Sequence, residues 1–165
     1  MEIRKATIED IPAIIKIARI TWPVAYKNIL SEEQLKYMLD KFYDPEELKN
    51  QIETGQYFIL ALDENNVIAG FASFGKSEDT PGTFHLHKLY VLPEFQKLHA
   101  GRMLLDYAIE ETRRLGVQEI NLNVNRFNNA RYFYEKLGFK IVRTVDNPIG
   151  NGYFMNDFIM TKKLV

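Results

Sequence analysis

Two short stretches of this chain combine residue types and spacing that can do chemistry. His85 and His87 stand two apart within a run of strand formers, so both project from one face of a strand. An imidazole with an ordinary pKa of about 6.5 can accept a proton at neutral pH, which makes His87 a candidate base or substrate-lining residue and His85 a candidate substrate contact. A His-x-His pair can also begin a metal site, but no third ligand stands at useful spacing, so no metal is expected. The remaining reading is that both are strand surface residues.

The second stretch is Gln96-Lys97-Leu98-His99-Ala100-Gly101-Arg102, which joins the end of a strand to the start of a helical pattern. A helix N-terminus presents unpaired N–H groups and the positive end of the helix dipole, so it favours an anion such as a diphosphate, and Lys97 and Arg102 would add charge-assisted contacts. The alternative is an ordinary strand-to-helix turn in which Gly101 permits close packing. The segment has neither the Lys-Ser/Thr pair of a nucleotide-hydrolase loop nor the glycine spacing and distant acid of a dinucleotide fingerprint.

Composition narrows the chemistry further. The chain has no cysteine, which excludes disulfides, thiolate metal sites and a cysteine nucleophile. Lys and Arg number 21 against 22 Asp and Glu, without the basic excess of a nucleic-acid-binding domain. Charge is uneven along the chain: Ser31 to Glu64 is acidic, whereas Gln96 to Arg143 is basic, a pattern that solvated helix faces also produce. No apolar run approaches the roughly 20 residues that span a bilayer, and nothing at the start resembles a signal peptide, so a soluble, cytoplasmic protein with no membrane partner is expected.

The elements that must position these residues follow from periodicity. Glu2 to Ala6 reads as a strand, with Thr7 and Asp10 opening a helix that Thr21-Trp22-Pro23 breaks. Ser31 opens a second helix through Phe42, and Asp44-Pro45 starts a further short helical stretch to about Thr54. Tyr57–Leu62, Val67–Phe74 and Thr83–Leu92 are consecutive strands, the first two joined by a turn at Asp63-Glu64-Asn65-Asn66. A helix over Gly101 to Leu115, a strand over Glu119–Val124, a helix over Asn128–Leu137 and closing strands over Phe139–Val145 and Phe154–Lys162 complete the order β-α-α-β-β-β-α-β-α-β-β. One α/β domain over residues 1–165, with a mixed, mostly antiparallel seven-stranded sheet and helices on both faces, accounts for the whole string.

Two motifs in this order carry a resemblance. The segment LYVLPEFQKLHAGRMLL is similar to the coenzyme-A loop of the GNAT N-acetyltransferases, which follows the pattern Arg/Gln-x-x-Gly-x-Gly/Ala after a strand ending Tyr-Val-x-Pro-Glu-Tyr/Phe. The run from Asn125 to Phe139 resembles the same family's Asn-x-Ala-x-x-x-Tyr-Glu-Lys-Leu-Gly-Phe helix, and the likeness extends over nearly the whole chain. His99 stands where the loop pattern has its first glycine.

The resemblance implies transfer of an acetyl group from acetyl-CoA, as co-substrate, to a primary amine. It implies that Leu89, Tyr90 and Val91 offer backbone groups to the acetyl and pantetheine part, with the Val91 N–H at the oxyanion. Gln96, Lys97, Leu98, His99, Ala100, Gly101 and Arg102 would cradle the pyrophosphate. Asn128 would bond the pantetheine amide, although it also suits a helix N-cap, in competition with Asn129. Tyr134 would stand beside the sulfur as general acid, since a phenol with pKa near 10 is protonated at neutral pH.

In this family the acceptor side is built largely from the segment between the first helices, which here holds Trp22 and Tyr26. A looser similarity to the PaiA-type spermidine/spermine acetyltransferases suggests a polyamine, a cation that would suit the acidic Ser31–Glu64 stretch. Acetylation of a protein N-terminus, an amino acid or another small amine is the alternative, as is a coenzyme-A-binding module without turnover. The aromatic end around Tyr153, Phe154 and Phe158 would serve as a homodimer face or pack in the core.

Overall fold

The computed structural model describes residues 1–165. Strand β1 (Glu2–Lys5) leads into a short 3-10 turn and helix α1 (Ile11–Ala25), followed by α2 (Glu32–Phe42) and α3 (Pro45–Glu53). Strands β2 (Tyr57–Leu62), β3 (Ile68–Lys76) and β4 (Phe84–Val91) come next, then a 3-10 turn and α4 (Ala100–Arg114). Strand β5 (Glu119–Asn125), α5 (Ala130–Lys136), β6 (Lys140–Gly150) and β7 (Tyr153–Lys163) finish the chain. No helix is long and apolar enough to cross a membrane.

The seven strands form one sheet in the order β1-β2-β3-β4-β5-β7-β6, antiparallel except where β4 lies beside β5. Side chains alternate across it. Ile59, Ala72, Phe74, Phe84 and Leu86 pack on one face against α4 and α5, while Phe58, Leu60 and Phe71 pack on the other against α1, α2 and α3. Helix starts are capped as their sequences dictate: Ser31 Oγ accepts from the Gln34 N–H (3.1 Å), and the Asp44 carboxylate accepts from Glu46 and Glu47.

Two features depart from the sequence reading. Helix α1 does not stop at Thr21-Trp22-Pro23 but runs on to Ala25. Pro23 removes one helical donor, yet the Tyr26 N–H still reaches the Trp22 carbonyl (2.9 Å), and burial of Thr21, Trp22 and Tyr26 against the sheet keeps the last turn helical. The β6–β7 hairpin is also longer than expected. The expected strands stop at Val145 and resume at Phe154, whereas β6 runs to Gly150 through Pro148; β6 is an edge strand, where a missing N–H costs no ladder bond. The turn at Asn151-Gly152 has positive φ at both residues (55° and 78°), the geometry of a tight two-residue hairpin loop.

Candidate active site

The site arises where β4 leaves β5. In β4, Leu86 pairs with Phe74 and Lys88 with Ser73, so His87 is an extra residue with no partner in β3. This bulge resets the alternation: Leu89 and Val91 turn toward α4, whereas Lys88 and Tyr90 join His85 and His87 on the opposite side. Parallel pairing of β4 with β5 is confined to Phe84–Leu86 against Ile120–Leu122. Beyond it the strands splay, and a cleft opens between Leu86–Tyr90 on one side and Leu122–Asn125 on the other.

The splay exposes backbone groups at a defined place. The Leu92 N–H donates to the Ala69 carbonyl (2.8 Å), so along this strand Tyr90 also directs its backbone toward β3, and Leu89 and Val91 direct theirs toward the unpaired side. The expectation that Tyr90 contributes backbone to the cleft is corrected: its backbone belongs to the β3 ladder, and its phenol faces Trp22 and Tyr26. Asn128 and Tyr134 line the same cleft. Asn129 holds the N-cap position of α5 without a side-chain cap bond, while Asn128 Oδ1, one residue earlier, accepts from the Ala130 N–H (2.9 Å) and its amide nitrogen makes no bond within the chain. Burial holds the Tyr134 phenol above its ordinary pKa, so it stays protonated at neutral pH.

The loop from Gln96 to Arg102 runs into α4, whose first helical bond closes from Met103 N–H to the His99 carbonyl (3.0 Å). The N–H groups of Ala100, Gly101 and Arg102 precede that bond. His99 occupies the left-handed region (φ 59°, ψ 24°), the conformation a glycine would take without strain. The loop therefore keeps its shape despite the side chain, at a cost of about 1 kcal/mol. Gln96 Nε2 donates to the Val91 carbonyl (3.3 Å), and Lys97, Leu98 and Arg102 are exposed. Free helix-start N–H groups, two nearby cations and a strand edge with no partner suit a diphosphate joined to an amide-bearing arm, which is the chemistry of coenzyme A.

On the other side of β4 lies a cavity of about 420 Å³, within the range of small-molecule sites. Trp22 and Tyr26 both line it, and the Trp22 ring lies 5.1 Å from Tyr26, 5.6 Å from Tyr43 and 5.7 Å from Tyr90 between centroids. The Tyr26 and Tyr90 hydroxyls are 3.2 Å apart.

His85 and His87 face the same space with ring centroids 5.0 Å apart. Asn121 accepts from His85 Nδ1 while donating to Thr83 Oγ1 (3.4 Å), which in turn donates to the Thr80 carbonyl (2.8 Å). This chain of bonds fixes the proton of His85 on Nδ1. Burial lowers the pKa of both imidazoles. For His87, burial, then His85, then Lys88, bring it to about 3, so it is neutral and weakly basic at pH 7.

Two residues of the cavity went unnoticed in the sequence. Lys88 Nζ donates to Gln51 Oε1 (2.8 Å) and lies 5.3 Å from the Phe58 ring centre, and burial lowers its pKa to about 8. Asp157 is 3 % exposed on β7. The acidic Ser31–Glu64 stretch contributes no carboxylate to the cavity, because its acids lie on outward faces of α2 and α3 and in the β2–β3 turn. The cavity's carboxylates are Glu78, Asp79 and Asp157.

This geometry agrees with the comparisons to known proteins. The acetyltransferase (GNAT) domain model matches residues 26–159, and the chain belongs to that family. It is 32% identical to the spermidine N(1)-acetyltransferase of Thermoplasma acidophilum over 99% of this chain and 97% of that protein. The crystal structure of the PaiA N-acetyltransferase from T. acidophilum in complex with coenzyme A superimposes with a TM-score of 0.83 and 32% identity, covering 98% of each chain. A ribosomal protein bS18-alanine N-acetyltransferase of Haemophilus influenzae is 38% identical over 58% of this chain and 62% of its own length. The protein is an acetyl-CoA-dependent N-acetyltransferase of the GNAT fold.

Proposed function

We propose that the acceptor is an aliphatic polyamine such as spermidine, and that it meets the acetyl donor across β4. The observation that carries this reading is the lining of the cavity: three carboxylates (Glu78, Asp79 and Asp157) and an aromatic wall against one cation, Lys88. Carboxylates and ring faces are the groups that attract an ammonium. The spermidine acetyltransferase likeness over the full chain supports the same class.

Acetyl-CoA supplies a thioester carbonyl. In the proposed arrangement the loop from Gln96 to Arg102 holds the pyrophosphate, Asn128 bonds the pantetheine amide, and Leu89 and Val91 lay their backbone edge along the arm. The Val91 N–H, on the unpaired side of β4, donates to the oxygen that gains charge as the amine attacks. Tyr134 gives its proton to the leaving sulfur. Trp22, Tyr26 and His85 line the acceptor. His87 does so as a neutral imidazole, since a group with a pKa of about 3 is poorly matched to proton abstraction at pH 7.

The test is thiol release from acetyl-CoA with spermidine, spermine, free amino acids and a peptide with an N-terminal alanine. Spermidine or spermine should give the highest kcat/KM, and Tyr134→Phe should lower kcat about 100-fold. Turnover with the peptide or an amino acid, and none with the polyamines, would overturn the acceptor assignment.

A further inference from the structure

Four buried side-chain polar atoms in the molecule lack a hydrogen-bond partner: Trp22 Nε1, Tyr43 Oη, His87 Nε2 and Asp157 Oδ1. All four residues line the acceptor cavity. Buried polar groups are nearly always paired, so such a concentration marks a surface completed by something that binds there. Asp157 is the most demanding of the four because it is a carboxylate. Its Oδ2 accepts from Asn123 Nδ2 (3.3 Å), while Oδ1 has nothing.

We infer that Asp157 is the catalytic base, its free carboxylate oxygen receiving the acceptor's ammonium group and removing one proton from it. The inference rests on the reading that the cavity takes a primary amine. Position supports it: Asp157 lies opposite Asn125, and Asn125 borders both the cavity and the cleft that holds Tyr134, so a nitrogen held here is at the junction of the two spaces. The other candidates are less suited. Glu78 and Asp79 are exposed at the mouth, Lys88 is a cation at neutral pH, and His87 is too weakly basic.

Burial raises the Asp157 carboxyl above its ordinary range, opposed by the Asn123 bond and the Arg126 charge, and this brings it nearer to a working pH. Arg126 is itself paired with Asp146 (2.7 Å). The other titratable groups facing this space are Tyr26 at the end of α1, Tyr43 after α2, Glu78 and Asp79 before β4, and His85, His87, Lys88 and Tyr90 from β4.

The proton balance closes. Asp157 takes one proton from the ammonium, and the nitrogen lone pair forms the C–N bond. The C–S bond breaks as Tyr134 protonates the sulfur. The nitrogen's second surplus proton restores the Tyr134 phenol, and Asp157 releases its proton to solvent.

The test compares wild type, Asp157→Asn and Asp157→Glu with whichever amine of the panel wild type turns over fastest. Asp157→Asn should bind coenzyme A with unchanged Kd and lose about 100-fold in kcat at pH 7. Its kcat/KM should then climb tenfold per pH unit toward the amine's own pKa, where the wild-type profile levels off earlier. Asp157→Glu, which keeps the carboxylate, should recover part of the rate. An Asp157→Asn rate within about threefold of wild type, or a loss constant across pH, would overturn the base assignment. The acceptor reading fails separately, when the fastest amine in wild type is no polyamine.

Discussion

Lys88 shows how a single backbone displacement changes the meaning of a residue. Strict alternation from His85 and His87 would put Lys88 on the other side of β4, but the extra residue at His87 turns Lys88 into the acceptor cavity. There its folded-state pKa is about 8, below the ordinary lysine value of about 10.4. Between those values the unfolded chain binds more protons than the folded one, so stability rises with pH across that window; below pH 8 the full cost of burying the charge is present. Lys88→Met should therefore melt a few degrees higher than wild type at pH 6.5, and the gain should shrink by pH 9.5. Equal melting shifts at both pH values would contradict a lysine whose pKa burial has lowered. His99 is the counterpart on the donor side. The sequence made its replacement of a glycine visible, and the left-handed backbone explains how the loop tolerates it.

At the scale of elements, the hairpin β6–β7 shapes the cavity proposed to take the acceptor. Its outer half carries Asn147, Ile149, Met155 and Asp157 to the cavity, and α2 holds the tip: Tyr37 Oη and Lys41 Nζ donate to the Ile149 carbonyl (2.8 and 2.7 Å), and Gln34 Nε2 donates to the Phe154 carbonyl (2.9 Å). Gly152 sits at φ 78°, where a Cβ costs about 1 kcal/mol even though there is open space around it. Gly152→Ala should lower stability by about that amount and raise the amine KM several-fold, with coenzyme-A affinity unchanged. Equal losses of amine and coenzyme binding would count against the hairpin as an acceptor-side element.

The sequence made most of this architecture legible. Capping residues at Ser31 and Asp44 and apolar periodicity located the strands and helical stretches, and the coenzyme-loop and Tyr134 motifs pointed to the family. It left the acceptor side obscure because bulges and edge-strand prolines are tertiary facts. The His87 bulge leaves no mark in alternation, and the strand ends expected at Val145 and Phe154 leave out the outer half of the hairpin, which turns at Asn151-Gly152. Asp157 thus read as one strand residue among others.

For the whole molecule, the proposed arrangement puts the two reactants on either side of β4. The sheet is held rigid on both faces by separate apolar cores, and only beyond Leu86 does it open, so donor and acceptor can meet without large rearrangement. The chain's formal net charge of −1 gives little long-range pull on a polycation, so under the proposed function recognition would fall to the three cavity carboxylates. The most direct test is a crystal structure with coenzyme A and spermidine both bound. The account predicts the coenzyme sulfur between β4 and β5 within about 3.5 Å of Tyr134 Oη, and a primary amine of spermidine in hydrogen-bond reach of Asp157 Oδ1. Spermidine bound outside the cavity, or a sulfur remote from Tyr134, would contradict it.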